Sequence, residues 1–266
     1  MSTSTEPPVT PEQVTSPWYL LEGNGTSIVT SGPDLRRMVD SLGPDRARHS
    51  RDGRIALWHQ RGGVSYYRAL TQEQADAQKD ANRSALQARQ DLARSVTAYL
   101  RTHGLLYSYD RTTQTLTDGA EVYEGGHGVR VWHRDTAWLQ ARDPQSSERD
   151  ARRTAVSRYQ DVLNSVGASS EVVGTDLHVR SFPLPPELAA AVLAHHTEDG
   201  SWTVSAGGTR HLVLRHSDGY TLGFHGPRHS TLALALLEVA HVSGSLDSYQ
   251  AAALRQQLTG AGDSGS

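Results

Sequence analysis

The chain has 266 residues, 36% of them apolar and 21% charged, and a formal net charge of −3, the balance of a soluble globular protein with one large or two small domains. That charge gives no global attraction to nucleic acid or to an anionic membrane, and the absence of cysteine excludes disulfides, thiolate nucleophiles and cysteine-ligated zinc. The longest apolar run, Leu232 to Ala240, contains Glu238 and is far below the roughly 18 to 20 residues that span a bilayer. The N-terminus has neither the basic start nor the apolar stretch of a secretory signal, so a cytoplasmic protein without membrane contact is expected.

Of the 26 basic residues all but Lys79 are arginine, and Ile and Phe occur only twice each. Lys, Ile and Phe have AT-rich codons, so the bias points to a GC-rich genome such as that of an actinobacterium, or to its phage or plasmid. The arginine excess is therefore no evidence of phosphate recognition in itself.

Residues 1–16, rich in Ser, Thr and Pro, and residues 260–266 have the composition of disordered ends. From Trp18 onward two short strands joined by a tight turn are followed repeatedly by a helix. In the first copy Asn24-Gly25 signals a hairpin, and Pro33 sits where a first helical turn accepts it. The second runs from Arg54 through the turn at Arg61-Gly62-Gly63 to "VSYYRAL" and a helix over about 72–102. There Thr71 and Gln74 have capping-box spacing. The second half of this helix carries Leu92, Val96, Tyr99 and Leu100 on one face, whereas alanine is the only apolar residue type in the first half. That half is expected to overhang as a solvated extension or to offer a partner or homo-oligomer contact through 72–102.

"LLYSYDRTTQTLTDGAEVY" reads as a further hairpin. In the third copy Asp143 can cap a helix with Pro144 in its first turn, and Val156, Tyr159, Leu163 and Val166 share one face. "SEVVGTDLHVRSF" reads as one strand, "LPPELAAAVLAHH" as a short helix and "SWTVSAG" as another strand. In the fourth copy Asp218-Gly219 supplies the turn and Pro227 starts an almost wholly apolar helix over 230–242, expected to be deeply buried. The pattern predicts an α+β fold of repeated β-hairpin–helix units. Its sheets are mainly antiparallel with helices on one face, in two similar lobes, 17–126 and 127–259, dividing in "EGGHG".

Histidines follow apolar alternation in three strands, giving Ile55, Leu57, His59; Val129, Val131, His133; and Leu212, Leu214, His216. Equivalent corners of separate units would keep them apart, so each is read as a structural residue beside a turn rather than as part of a metal site. "HGPRH" places His225 and His229 four apart, with His241 further on, but Pro227 spoils the helical geometry two ligands would need. "HHTED" at 195–199 reads as a polar helix end. No nucleophile elbow, phosphate loop, dinucleotide fingerprint or H-E-x-x-H motif occurs, and no cofactor is expected.

Trp58 and Trp132 precede their histidines and so point to the opposite, open face of their strands, with Arg215 in the fourth copy and Trp138 and Tyr66 nearby. Exposed aromatic and arginine residues on a sheet face suit a protein contact or base stacking. Arg46, Arg48, Arg51 and Arg54 line a loop beside the second hairpin, where a flexible arginine loop can touch phosphates. A second basic stretch, Arg149 to Arg158, is interleaved with acids and reads as a solvated helix face.

The opening "SPWYLLEG" and the hairpin with a proline-led helix in "GYTLGFHGPRHSTLALALLEVA" resemble a Streptomyces family of hairpin–helix repeat proteins. The two middle units depart from the pattern, and the resemblance implies no activity, only an actinobacterial or mobile-element origin. The expected function is a non-enzymatic regulatory or adaptor protein that binds a protein partner, such as a recombinase or another DNA-acting enzyme. Direct nucleic-acid binding and a metal-dependent enzyme using histidines are the alternatives.

Overall fold

A computed structural model describes residues 7–22, 27–43, 45–50, 52–59, 62–126, 128–135 and 145–260. The chain divides into two units, Met1–Gln87 and Ala88–Ser266.

The first unit is built on one antiparallel sheet. Its strands are β1 (Trp18–Glu22), β2 (Ser27–Ser31), β3 (Ala47–His49), β4 (Ile55–Trp58) and β5 (Val64–Leu70), in the order β2-β1-β5-β4-β3. Asn24-Gly25 lies outside the described residues, but the strands flanking it pair as a hairpin, Trp18 opposite Ser31 through Glu22 opposite Ser27. Helix α1 (Gly32–Leu42) follows at once, with the Ser31 hydroxyl accepting from the Asp34 amide and Pro33 in the first turn. A Cβ at Gly32 would stand 2.2 Å from the Ser16 carbonyl oxygen, so the helix start can approach the incoming chain only without a side chain.

Alternation puts Tyr19, Ile55, Leu57 and Tyr67 on one face, where Leu35 and Val39 of α1 close the core. Val9 and Val14 complete it, and the Val9 amide donates to the Ala47 carbonyl at 2.8 Å. Residues 7–16, expected to be disordered from composition, are thus ordered, with Pro7 to Val9 bonded along β3 and a 3-10 turn at Pro11–Gln13. Two valines in a polar stretch suffice because each is almost wholly withdrawn from water.

Helix α2 (Gln72–Thr102) starts with the expected capping box: the Gln74 amide donates to the Thr71 hydroxyl at 3.2 Å and the Thr71 amide to Gln74 Oε1 at 3.0 Å. Its first three turns pack on the sheet, whereas residues 83–88 are all exposed, so the expected overhang is confined to that short stretch. Ala75 is fully buried against Leu20 and Leu70, the Lys79 ammonium lies 3.4 Å from the centre of the Trp18 ring, and Asn82 donates to the Ser27 carbonyl at 2.7 Å. One buried alanine and two polar contacts thus hold the helix start to the sheet without an apolar stripe. The sheet consequently carries a helix on each face, not on one.

The second unit shares one hydrophobic core among the second half of α2, two larger sheets and four further helices of the described residues. Val96, Tyr99 and Leu100 of α2 are fully buried in it, as their spacing predicts. After the small hairpin β6 (Ser108–Asp110) and β7 (Thr115–Thr117) come β8 (Gly119–Gly125), β9 (Gly128–Arg134), α3 (Ser146–Asn164), β10 (Ser169–Val173) and β11 (Asp176–Ser181). Sheet order is β10-β11-β9-β8, with Val156, Tyr159 and Leu163 of α3 buried in the core. Asp143 and Pro144 lie outside the described residues; the helix is capped by Gln145 with Glu148. "SEVVGTDLHVRSF" is two paired strands, not one.

Next follow α4 (Pro186–Ala191), β12 (Leu193–His196), β13 (Trp202–Ala206), β14 (Thr209–His216), β15 (Gly219–Leu222), β16 (Arg228–His229), α5 (Leu232–Val242) and α6 (Ser248–Gly260). Strands β12 to β16 form a meander in chain order. The "LAHH" expected to end a helix is β12, paired with β13. Helix α5 is deeply buried as expected, but Thr231 caps it and Pro227 precedes the short β16 instead. Strands β8 and β9, on either side of the expected division, pair along their whole length, and the chain divides into its two units between Gln87 and Ala88. The units are not alike, since the first has one sheet and the second three among the described residues.

Candidate binding face

On the α2 side of the first sheet the helix covers the β2-β1-β5 end through Trp18, Leu20 and Leu70. Further toward β3, the register sets Ala56 opposite Tyr66 on one side and opposite Arg48 on the other, and Trp58 next along β4. Alternation adds Arg46, Arg68 and Glu22, the last opposite Tyr66. The residues read as partner contacts, Trp58 and Tyr66, and those read as phosphate contacts, Arg46, Arg48 and Arg54, therefore belong to one surface. Arg51 lies outside the described residues.

Trp58 is half-buried yet packs into neither hydrophobic cluster of the unit. The Arg54 guanidinium carbon lies 4.6 Å from the centre of the Tyr66 ring, a cation–π distance. Its Nη1 donates to Glu22 Oε2 at 2.9 Å and its Nη2 to Asp52 at 2.6 Å, while Arg68 Nε donates to Glu22 Oε1 at 3.0 Å. These bonds, from Arg54 first and then Arg68, hold the Glu22 carboxyl below its ordinary range. Asp52 is drawn down to about 2, chiefly by the Ser50 hydroxyl and next by Arg54. Glu22 and Arg68 are not among the residues that the sequence singles out; the alternation Tyr66, Arg68 within "YYRAL" carries the signal for one, and only cross-strand register reveals the other.

The second unit keeps the other candidates separate. Trp132 lies on the face of its sheet away from Val129 and Val131, as expected, and its ring is 4.8 Å from that of Tyr123. Beside it Arg134 bonds Glu121 at 2.8 Å and stands 4.6 Å from the Tyr107 ring centre. Trp138 lies outside the described residues. Arg215 does not share the face expected for it: fully buried Val213, two residues before it, faces the core with Trp202 and Val204, so Leu212, Leu214 and His216 point the other way. Three consecutive apolar residues, 212 to 214, fit either phase, and packing against α5 selects the one centred on Val213.

His133 and His216 stand in two different sheets and His59 just past the end of β4 in a third region, each bonded to a nearby hydroxyl: His59 to Ser65 at 2.6 Å, His133 to Tyr159 at 2.7 Å and His216 to Thr221 at 2.8 Å. Burial lowers the pKa of His133. Among the described residues no group of three or more His, Asp or Glu side chains could hold a metal ion, and no helix is long and apolar enough to cross a membrane.

No family model, curated protein or solved structure matches the chain. The candidate face accordingly rests on its own geometry.

Proposed function

We propose that this chain is a non-enzymatic regulatory or adaptor protein that binds a protein partner through the β5-β4-β3 part of the first sheet. The observation that carries this reading is the convergence of half-buried Trp58 and Tyr66 with Arg46, Arg48, Arg54 and Arg68 on one surface. Large aromatics and arginines held in place by their neighbours are the residues that dominate protein interfaces, because they present much contact area at little further entropy cost. A DNA-acting enzyme such as a recombinase is the kind of partner in view, and the amino-acid bias together with the hairpin–helix resemblance supports an actinobacterial or mobile-element setting.

The second reading, direct nucleic-acid binding, uses the same arginines. Against it, Glu22 and Asp52 already occupy Arg54 and Arg68, and a phosphate would have to displace them. Affinity capture with the wild type and with a Trp58→Ala/Tyr66→Ala variant, alongside a low-salt mobility shift, separates the two. A protein retained only by the wild type, with no shift, supports the adaptor. A strong salt-sensitive shift abolished by Arg48→Gln supports the alternative, because phosphate contacts are strongest at low salt.

A further inference from the structure

The second unit holds another built surface, at the end of the β8-β9 hairpin. Gly125, Gly126 and Gly128 bound a concavity of about 430 Å³ that Arg130, His178 and Arg180 also line. Register explains the grouping: Arg130 on β9 stands between Tyr123 on β8 and His178 on β11, all on the sheet face away from Val129 and Val131. Arg180 follows two residues further along β11 on the same face, and Arg89 of α2 donates to the Gly126 carbonyl at 3.1 Å.

Four basic side chains thus gather at one corner of a chain with net charge −3. Among the described residues the carboxylate bonded to them is Glu171, which accepts from Arg180 at 2.8 Å in an exposed pair. Arg130 is exposed and, like His178, makes no hydrogen bond or ion pair among the described residues. One of the glycines is needed for the shape. At Gly128, φ is +145° and a Cβ would stand 2.4 Å from the Val179 carbonyl oxygen, so only glycine lets the hairpin end close against β11.

We propose that this corner binds a phosphate monoester, with Arg130 as the principal donor, His178 as a second, and Arg180 as a third that exchanges its exposed Glu171 partner for the ligand. Guanidinium forks match the spacing of two phosphate oxygens, and three basic groups around one concavity suit the double charge of a monoester better than the single charge of a diester. The Tyr123 and Trp132 rings, 4.8 Å apart on the same face, provide a stacking surface beyond it, which fits a 5′-nucleotide. The site is independent of the partner face on the first unit.

Isothermal titration of the full-length protein at low ionic strength tests this with inorganic phosphate, 5′-AMP, adenosine and an unphosphorylated oligothymidylate. Phosphate and AMP are expected to bind and adenosine not to. Arg130→Gln should weaken both about tenfold, the loss of one charge-assisted contact, with an unchanged melting temperature, whereas Arg83→Gln on the other unit should leave both unchanged. Silence toward phosphate and AMP at millimolar concentration, or equal affinity in Arg130→Gln, would overturn the assignment. So would binding of the oligothymidylate through Arg130 without any response to phosphate.

Discussion

Arg54 joins Tyr66 and Glu22 in one contact: its guanidinium carbon is 4.6 Å from the tyrosine ring centre, and its Nη1 reaches the carboxylate at 2.9 Å. The ring and the carboxylate together hold the guanidinium in place, so the candidate face is preorganised, which limits the side-chain entropy lost on binding.

Glu22→Gln removes the anion shared by Arg54 and Arg68. Because the pair is partly exposed, a stability loss of about 1 kcal/mol in urea denaturation is expected. The Glu22 carboxyl is held below its ordinary value by those arginines, so its contribution is present above the unfolded pKa and disappears as the pH falls through the folded one. The stability curves of the wild type and of the Glu22→Gln variant should therefore converge on acidification, and a difference that grows toward low pH would contradict the assignment.

The docking of α2 on the first sheet turns on Ala75, which is fully buried, whereas Ala81 on the same helix is exposed. Ala75→Gln is expected to cost about 1 to 3 kcal/mol by overpacking, and Ala81→Gln less than about 0.5 kcal/mol. Equal effects in chemical denaturation would return the first half of the helix to solvent.

In the second unit the His103 ring lies 4.6 Å from Tyr99 and 5.1 Å from His195, with Nε2 buried and unpartnered. Burial first, then the neighbouring His195, lowers its pKa to about 4. The unfolded chain binds this proton near pH 6.5 and the folded one only near 4, so stability should fall as the pH drops through that window. The loss attributable to His103 is on the order of 2 kcal/mol by about pH 4. His133 and His229, both lowered by burial, add to it in the same direction. His103→Phe keeps the ring contacts and removes the titration, so it should flatten the profile between pH 6.5 and 4 while changing little at neutral pH; an unchanged slope would contradict the burial of Nε2.

Elements with strong local chemistry are legible in the sequence. The Thr71 and Gln74 box marks the start of α2, the run of Leu and Ala over α5 marks a buried helix, and Val156, Tyr159 and Leu163 define one face of α3. What is not legible depends on tertiary context. Ala75 carries no apolar signal of its own, Val9 and Val14 lie in a composition that reads as disordered, and the phase of β14 is ambiguous where Leu212, Val213 and Leu214 follow one another. The union of Trp58, Tyr66 and the arginines on one surface requires the pairing of β3, β4 and β5, which local sequence does not encode.

The protein-binding face is tested most directly by comparing the proteins captured from a nuclease-treated lysate of the encoding organism by the wild type, by Trp58→Ala/Tyr66→Ala and by Arg130→Gln, each verified as folded and quantified by mass spectrometry. The expected result is a protein retained by the wild type and by Arg130→Gln but lost from the double variant. Identical capture by all three, or no protein captured by the wild type, would contradict a protein-binding face at Trp58 and Tyr66.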